Sequence, residues 1–255
     1  MILGIDLGNT QTTIALIKNE KVTSIGTVDS SLNLRDYKIA LRKVFTQRQR
    51  MLKNLQGAVL CSVVPHLNKV VEQVLKSQAK VSTKIMGQDI KVPIKNRYRN
   101  PRQVGQDRLV VAYAARELYG APAIIIDFGT AITFDFVNDE GDYEGGLIIP
   151  GILLSLESLF NKAALLPKIE NVKAPTSLVG KTTHESILSG VFHGYGAMSE
   201  GLIEMISEKV TGDPQVIVTG GHTNLMKKYI KKQAYTVDKA LVFKGMEKIF
   251  LNTAK

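Results

Sequence analysis

An aspartate two residues ahead of a glycine occurs twice in matching surroundings. It appears as Asp6-Leu7-Gly8-Asn9-Thr10 and, 121 residues later, as Asp127-Phe128-Gly129-Thr130-Ala131. A glycine turn lets backbone N–H groups approach phosphate oxygens closely, and a carboxylate at its rim can hold a cation against them. One such turn is commonplace. Two of them in matching hairpins, with a later strand ending in Val218-Thr219-Gly220-Gly221, point to a nucleotide clamp. A further group, Gly105-Gln106-Asp107-Arg108, follows the basic run Lys95 to Arg102. Phosphoryl transfer needs an acceptor for the attacking hydroxyl's proton and cations on the phosphate oxygens. Asp107 suits the first role, and Arg108 could hold a carboxylate or phosphate in bidentate fashion. The same pair reads equally well as a capping aspartate and a surface arginine at a helix start.

The elements that carry these groups also repeat. Each turn follows an apolar run (Met1 to Ile5, Ala123 to Ile126), leads into a β-rich run and reaches a polar turn before a third apolar stretch. Such self-similarity predicts two structurally similar halves, 1–115 and 116–255, with a nucleotide cleft between them. In the first half, Ser30 to Thr46 reads as a helix with Leu34, Ile39, Leu41 and Val44 inward. Ala58 to Val64 reads as a buried strand stopped by Pro65, Leu67 to Gln78 as a helix and Val81 to Met86 as a short strand. Gln103 to Leu118 is the expected connecting helix. In the second half, helices are expected over 152–165 and 184–210 and a strand at Val216 to Val218. A basic helix is expected from Leu225 to Lys232, then a last strand at Leu241-Val242-Phe243 before a closing helix. The fold class is α/β, with mixed sheets flanked by helices.

Bulk properties narrow the function. Of 255 residues, 44% are apolar and 22% charged, as in a globular protein with a proper core, and no run approaches a membrane span. The start of the chain meets Asp6 too early for a signal peptide, and the single cysteine, Cys61, allows no internal disulfide, so a cytoplasmic location is expected. Cys61 itself reads as a small core residue. The net charge of +10 comes from dispersed lysines without interleaved aromatic residues, so nucleic acid is not an expected partner. Gly180-Lys181-Thr182 is not a P-loop, because Pro175 stands at the leading glycine position and no strand precedes it. The four histidines lack ligand spacing for zinc. Small residues at 190, 194, 197 and 201 line one helix face and suit close packing, including that of a dimer interface.

The paired turns and the late Gly-Gly resemble the actin, sugar-kinase and acetate-kinase superfamily, a duplicated ribonuclease H-like two-domain fold. The ordered set is more specific. It comprises Asp6-x-Gly8-Asn9-Thr10, Ser62-Val63-Val64-Pro65, Asn100-Pro101, Gly105-x-Asp107-Arg108, Asp127-Phe128-Gly129-Thr130-Ala131, Gly145-Gly146-x-Ile148-x-Pro150-Gly151 and Gly180-Lys181-x-Thr183. Together these resemble type III pantothenate kinase over nearly the whole chain.

The resemblance implies ATP-dependent phosphorylation of the primary hydroxyl of pantothenate, the first step of coenzyme A biosynthesis, by a homodimer requiring potassium or ammonium. It implies Asp107 as general base and Gly105, Gln106, Asp107, Arg108, Tyr98 and Thr183 as pantothenate contacts, Thr183 being donated across the dimer. ATP would be bound by Asp6, Leu7, Gly8, Asn9, Thr10, Gln11, Thr12, Thr13 and Thr130, and the late Gly-Gly would lie against adenosine. Asp127 would bind the monovalent cation, and Asp6 would reach magnesium through water. Ile132 departs from the family's usual Thr, which is expected to remove a hydroxyl near the phosphates. No lysine lies between Asp6 and Thr13, so backbone N–H groups and cations must neutralise the triphosphate. Two other readings stand beside this one: a superfamily kinase or phosphatase acting on sugars, acetate or polyphosphate, and an accessory transcriptional regulator of the same family.

Overall fold

The computed structural model describes residues 1–231 and 235–253. In chain order the elements are β1 (Ile2–Leu7), β2 (Gln11–Lys18), β3 (Lys21–Asp29), α1 (Leu34–Gln47), β4 (Ala58–Ser62), α2 (Pro65–Gln78), β5 (Thr83–Ile85) and α3 (Gln106–Tyr119). They continue with β6 (Ala123–Phe128), β7 (Ala131–Val137), β8 (Tyr143–Pro150), α4 (Ile152–Lys162), α5 (Thr183–Ser207), β9 (Gln215–Thr219), α6 (Thr223–Met226), β10 (Thr236–Val237) and α7 (Leu241–Thr253). Two units result: Met1–Ala114 with Ala240–Lys255, and Ala115–Lys239. The division therefore falls inside α3, and the last helix returns to the first unit instead of closing the second half.

The first unit is a five-stranded sheet in the order β3-β2-β1-β4-β5. Its β1 runs antiparallel to β2 and parallel to β4. Alternation sends Ile5, Leu7, Ile14 and Leu60 to the face covered by α1 and α2. The opposite face presents Ile2, Ala15, Ile17, Val59 and Cys61 to Val110 and Tyr113 of α3 and to Phe243, Met246 and Ile249 of α7. Close approach requires glycine at position 4, where a Cβ would come 2.7 Å from Ile17 and 2.8 Å from Phe243.

The second unit repeats the plan in the order β10-β9-β6-β7-β8. Its β6 is antiparallel to β7 and parallel to β9. One face, with Ile124, Ile126, Phe128, Ile132 and Phe134, packs against Ile152 and Leu156 of α4, Ile187, Leu188 and Phe192 of α5 and Met226 of α6. The duplication seen in the sequence is thus matched strand for strand.

Three local expectations need correction. The inward face of α1 is Tyr37, Leu41 and Phe45, at i, i+4 and i+8, while Leu34 and Ile39 are 54% and 56% exposed. A tyrosine outranks both because its hydroxyl finds buried partners, described below. Leu241-Val242-Phe243 opens α7 and is not a strand, because the apolar spacing continues helically through Met246 and Ile249. Three apolar residues alone do not distinguish the two periods. The basic helix is only the short α6 followed by a 3₁₀ turn over Lys227–Tyr229, and Lys232 lies outside the described residues.

Candidate functional site

The first acidic turn joins β1 to β2. Asp6 is half-buried, at the C-terminal end of a strand flanked on both sides, and it faces Thr13 on β2 and Cys61 on β4 in register. Gly8 N–H donates to the Gln11 carbonyl at 3.1 Å, closing a loop whose Asn9, Thr10 and Gln11 are exposed. Leu7 and Thr12 belong to the core instead, each fully buried. The Thr12 hydroxyl lies 2.9 Å from Ser30 Oγ and 2.8 Å from Tyr37 Oη. Of the eight residues from Asp6 to Thr13, the rim is therefore Asp6, Gly8 to Gln11 and Thr13.

The helix α3 delivers Asp107 to the same place. Val110 and Tyr113 pack against the sheet face that carries Val59 and Cys61, and Asp107 lies one turn earlier than Val110 on that helix side. Two carboxylates thereby converge on one thiol. Cys61 is buried and its pKa is raised well above the ordinary thiol value of 9.0, first by burial, then by the charges of Asp6 and Asp107. It stays a neutral core thiol, as expected from the sequence.

The Asp107 carboxyl is itself pushed up from the ordinary 3.8 by burial, and is held back by the Arg108 N–H, 2.9 Å from Oδ1, and by the Arg108 guanidinium. A Cβ at Gly105 would overlap that same Oδ1, so a side chain there would displace the Asp107 carboxylate. The Gln106 side chain lies over Gly87, whose φ of +83° favours glycine. Arg108 is only 8% exposed, so it is not the surface arginine of the bland reading. The neighbouring Ser62-Val63-Val64-Pro65 run ends β4: Val63 N–H donates to Leu7 O at 3.0 Å, Ser62 Oγ accepts from Val64 N–H at 3.1 Å, and Pro65 opens α2. Tyr98 is half-buried, its N–H donating to Asn96 Oδ1 at 3.0 Å in a side-chain turn.

In the second unit the acidic turn joins β6 to β7, with Asp127 half-buried opposite Thr133 and Thr219. Thr130 is exposed at the tip. Two segments clasp this turn, and in them Gly151 and His222 had no assigned role from the sequence. Gly151 N–H donates to Thr130 O at 3.0 Å, and a Cβ on it would lie 2.6 Å from Gly129 O. His222 N–H donates to Phe128 O at 2.9 Å, and its Nδ1 lies 3.3 Å from Gly129 O. Gly220, with φ of +96°, presses on the Asp127 carboxylate, while Gly221 faces open space. The signal for Gly151 was present as Pro150-Gly151 directly after a strand. His222 carried none beyond following the Gly-Gly pair.

Ile132 corrects the expectation drawn from it. It pairs with Phe128 as Thr12 pairs with Leu7, and it is 1% exposed in the core. A threonine at this register points away from the turn's rim, so isoleucine removes no hydroxyl from it.

Thr183 is the exposed first residue of α5. Its helix start is a variant of the capping box, in which the N-cap Thr182 Oγ1 accepts from Glu185 N–H at 3.2 Å and Glu185 Oε2 accepts from the N–H of the preceding Lys181 at 2.8 Å. The Thr-x-x-Glu spacing was legible and explains the Gly-Lys-Thr run without a P-loop. Among the described residues no group of three or more His, Cys, Asp or Glu side chains could hold a metal alone. The oxygen donors at Asp6 and Asp127 suit hard cations that keep water or take phosphate oxygens.

Residues 2–205 match the family described as type III pantothenate kinase. A protein of that description from Persephonella marina is 43% identical over 232 residues, covering 89% of this chain and 90% of the relative. Another from Halalkalibacterium halodurans is 37% identical over 255 residues, covering 98% of each. A solved structure from Campylobacter jejuni described as a Baf family transcriptional activator has a TM-score of 0.59 at 20% identity, over 99% of both chains. One described as a 2-dehydro-3-deoxygalactonokinase, from Sinorhizobium meliloti, has a TM-score of 0.56 at 10% identity, again over 99% of both. At these identities the structures speak for the sugar-kinase-like fold alone. Among the described residues no helix is long and apolar enough to cross a membrane.

Proposed function

The chain belongs to the type III pantothenate kinase family, and from that premise we propose that it transfers the γ-phosphate of ATP to the primary hydroxyl of pantothenate, with Asp107 as general base. The observation that carries this reading is that Asp6 stands in register with Cys61 while Asp107 lies one turn before Val110 on the side of α3 packed against that same sheet face, within one unit. One carboxylate would serve a hydrated magnesium ion on the phosphates, and the other the incoming alcohol.

The hydroxyl's proton passes to Asp107 as its oxygen attacks phosphorus in line. Burial suits Asp107 to this, since a raised pKa makes the carboxylate a better proton acceptor, while the Arg108 N–H keeps it ionised and aimed. Backbone N–H groups from Asn9 to Gln11 bind phosphate oxygens, with the side chains of Asn9, Thr10, Thr13 and Thr130 as further polar contacts. Asp6 would hold a hydrated magnesium ion and Asp127 a potassium or ammonium ion, and these cations would supply the positive charge that the turn, with no lysine, does not offer the triphosphate. Gly105, Gln106, Arg108 and Tyr98 line the pantothenate site.

We further propose a cytoplasmic homodimer. Gly190, Gly194 and Gly201 of α5 have open space beside them, Ala197 is exposed, and Leu178 and Val179 are 68% and 75% exposed nearby. A second copy covering this helix would bring Thr183 to the partner's pantothenate. The regulator reading is not favoured, because relatives covering most of the chain are named as kinases.

ATP consumption measured with pantothenate, with a sugar and with acetate, in potassium and then in sodium buffer, tests the assignment. Saturable turnover only with pantothenate, faster in potassium, is expected. Turnover of a sugar or acetate alone would overturn it.

A further inference from the structure

Behind the first acidic turn lies a buried chain of hydroxyls that the proposed reaction does not use. Tyr37, fully buried on α1, places its Oη 2.8 Å from Thr12 Oγ1, which lies 2.9 Å from Ser30 Oγ. Ser30 is 6% exposed, and its N–H donates to the carbonyl of Thr10 at 3.0 Å. Helix, strand and the corner after β3 are thereby tied to an exposed residue of the turn. Each hydroxyl can donate once and accept, so the two links use two of the three hydroxyl protons and can run in series in either direction.

The second hairpin shows that the fold does not demand this arrangement. Ile132 fills the register position of Thr12 there, and Gly151, packed directly on the turn, donates to Thr130 O as Ser30 donates to Thr10 O. The first loop is also longer by one residue, Gly8 to Gln11 against Gly129 to Ala131. Burying three hydroxyls costs more than burying three apolar groups unless their hydrogen bonds return something.

We propose that Tyr37, acting through Thr12 and Ser30, is a positioning residue that holds the Gly8–Gln11 loop in its phosphate-binding shape. It touches neither substrate. The proposal rests on the assignment of this turn to ATP and adds a residue with no place in the motifs.

The test compares wild type, Tyr37→Phe, Ser30→Ala and Phe45→Leu. The last loosens the same face of α1 without touching a hydroxyl. For each, kcat and both KM values are measured well below the unfolding temperature, and magnesium-ATP binding is measured by calorimetry without pantothenate. Tyr37→Phe and Ser30→Ala are expected to weaken ATP binding and raise its KM by about five- to ten-fold, with the pantothenate KM unchanged. Phe45→Leu should lower the unfolding temperature and leave the ATP KM within about two-fold of wild type. ATP binding unchanged in both hydroxyl variants would overturn the proposal. So would an equal rise with Phe45→Leu, which would make the effect one of general stability. A wild-type protein that binds ATP but does not phosphorylate pantothenate would sink the substrate assignment alone, and the calorimetric comparison would still decide this one.

Discussion

The two hairpins of this chain carry the same aspartate and glycine on the same strand register, yet they are braced by different means. Asp6 faces Thr13 and Cys61, and Asp127 faces Thr133 and Thr219. Behind the first turn stand hydroxyls, linked in series from Tyr37 to Ser30. Around the second stand glycine backbones, Gly151 and Gly220, packed so closely that no side chain fits. Duplication has kept the chemistry-bearing residues and changed their support. A hydroxyl brace can be removed by degrees, one hydrogen bond at a time. A glycine brace tolerates no added atom, so the second turn should be the more brittle.

That contrast can be broken most forcefully at Gly220. A methyl group there must overlap the Asp127 carboxylate and approach Phe128 N at 2.6 Å, in a φ of +96° that disfavours any side chain. Gly220→Ala is expected to cost about 2–4 kcal/mol and to abolish turnover, as read by denaturant unfolding and ATP consumption. Near-normal stability would mean that the second turn is not rigidly clasped.

The register equivalence of Thr12 and Ile132 is sharpened by Ile132→Thr. It buries a hydroxyl in a core built for isoleucine and should destabilise by about 1–3 kcal/mol without changing the ATP KM. Tighter ATP binding would show that the residue reaches the nucleotide after all.

A smaller effect concerns Asp107 and pH. Because burial raises its folded pKa above the unfolded value, the protonated form is favoured by folding. Its contribution to stability is therefore present below the unfolded pKa and is lost as pH rises through the folded one. Asp107→Asn should accordingly raise the unfolding temperature slightly at neutral pH. The acid limb of wild-type kcat/KM should lie above the ordinary carboxylate value of 3.8, with activity growing as pH rises through it.

Much of this was legible because short motifs and strand alternation are local. The repeat of Asp-x-Gly within β-rich runs announced two similar sheets, and Gly105 to Arg108 announced a helix start carrying a carboxylate. What escaped depends on contacts distant in sequence. Tyr37 drew no notice in the sequence, since its partner Thr12, and Ser30 beyond it, lie on other elements. The return of α7 to the first unit could not be read from Leu241-Val242-Phe243, whose apolar run suits strand and helix alike. Ile132 looked like a loss at the phosphate site until its register with Thr12 placed it in the core. Glu247 carried no signal at all, although its carboxylate accepts from Asn19 and Glu20 N–H at 2.9 and 2.6 Å and secures the β2–β3 turn.

The most direct test of phosphoryl transfer to pantothenate with Asp107 as base is single-turnover transfer by Asp107→Asn, with ATP binding measured separately. Asparagine keeps the shape and loses the proton acceptor. Unchanged ATP affinity with transfer slowed by about 10²- to 10⁴-fold is the predicted result. Transfer at the wild-type rate would contradict it.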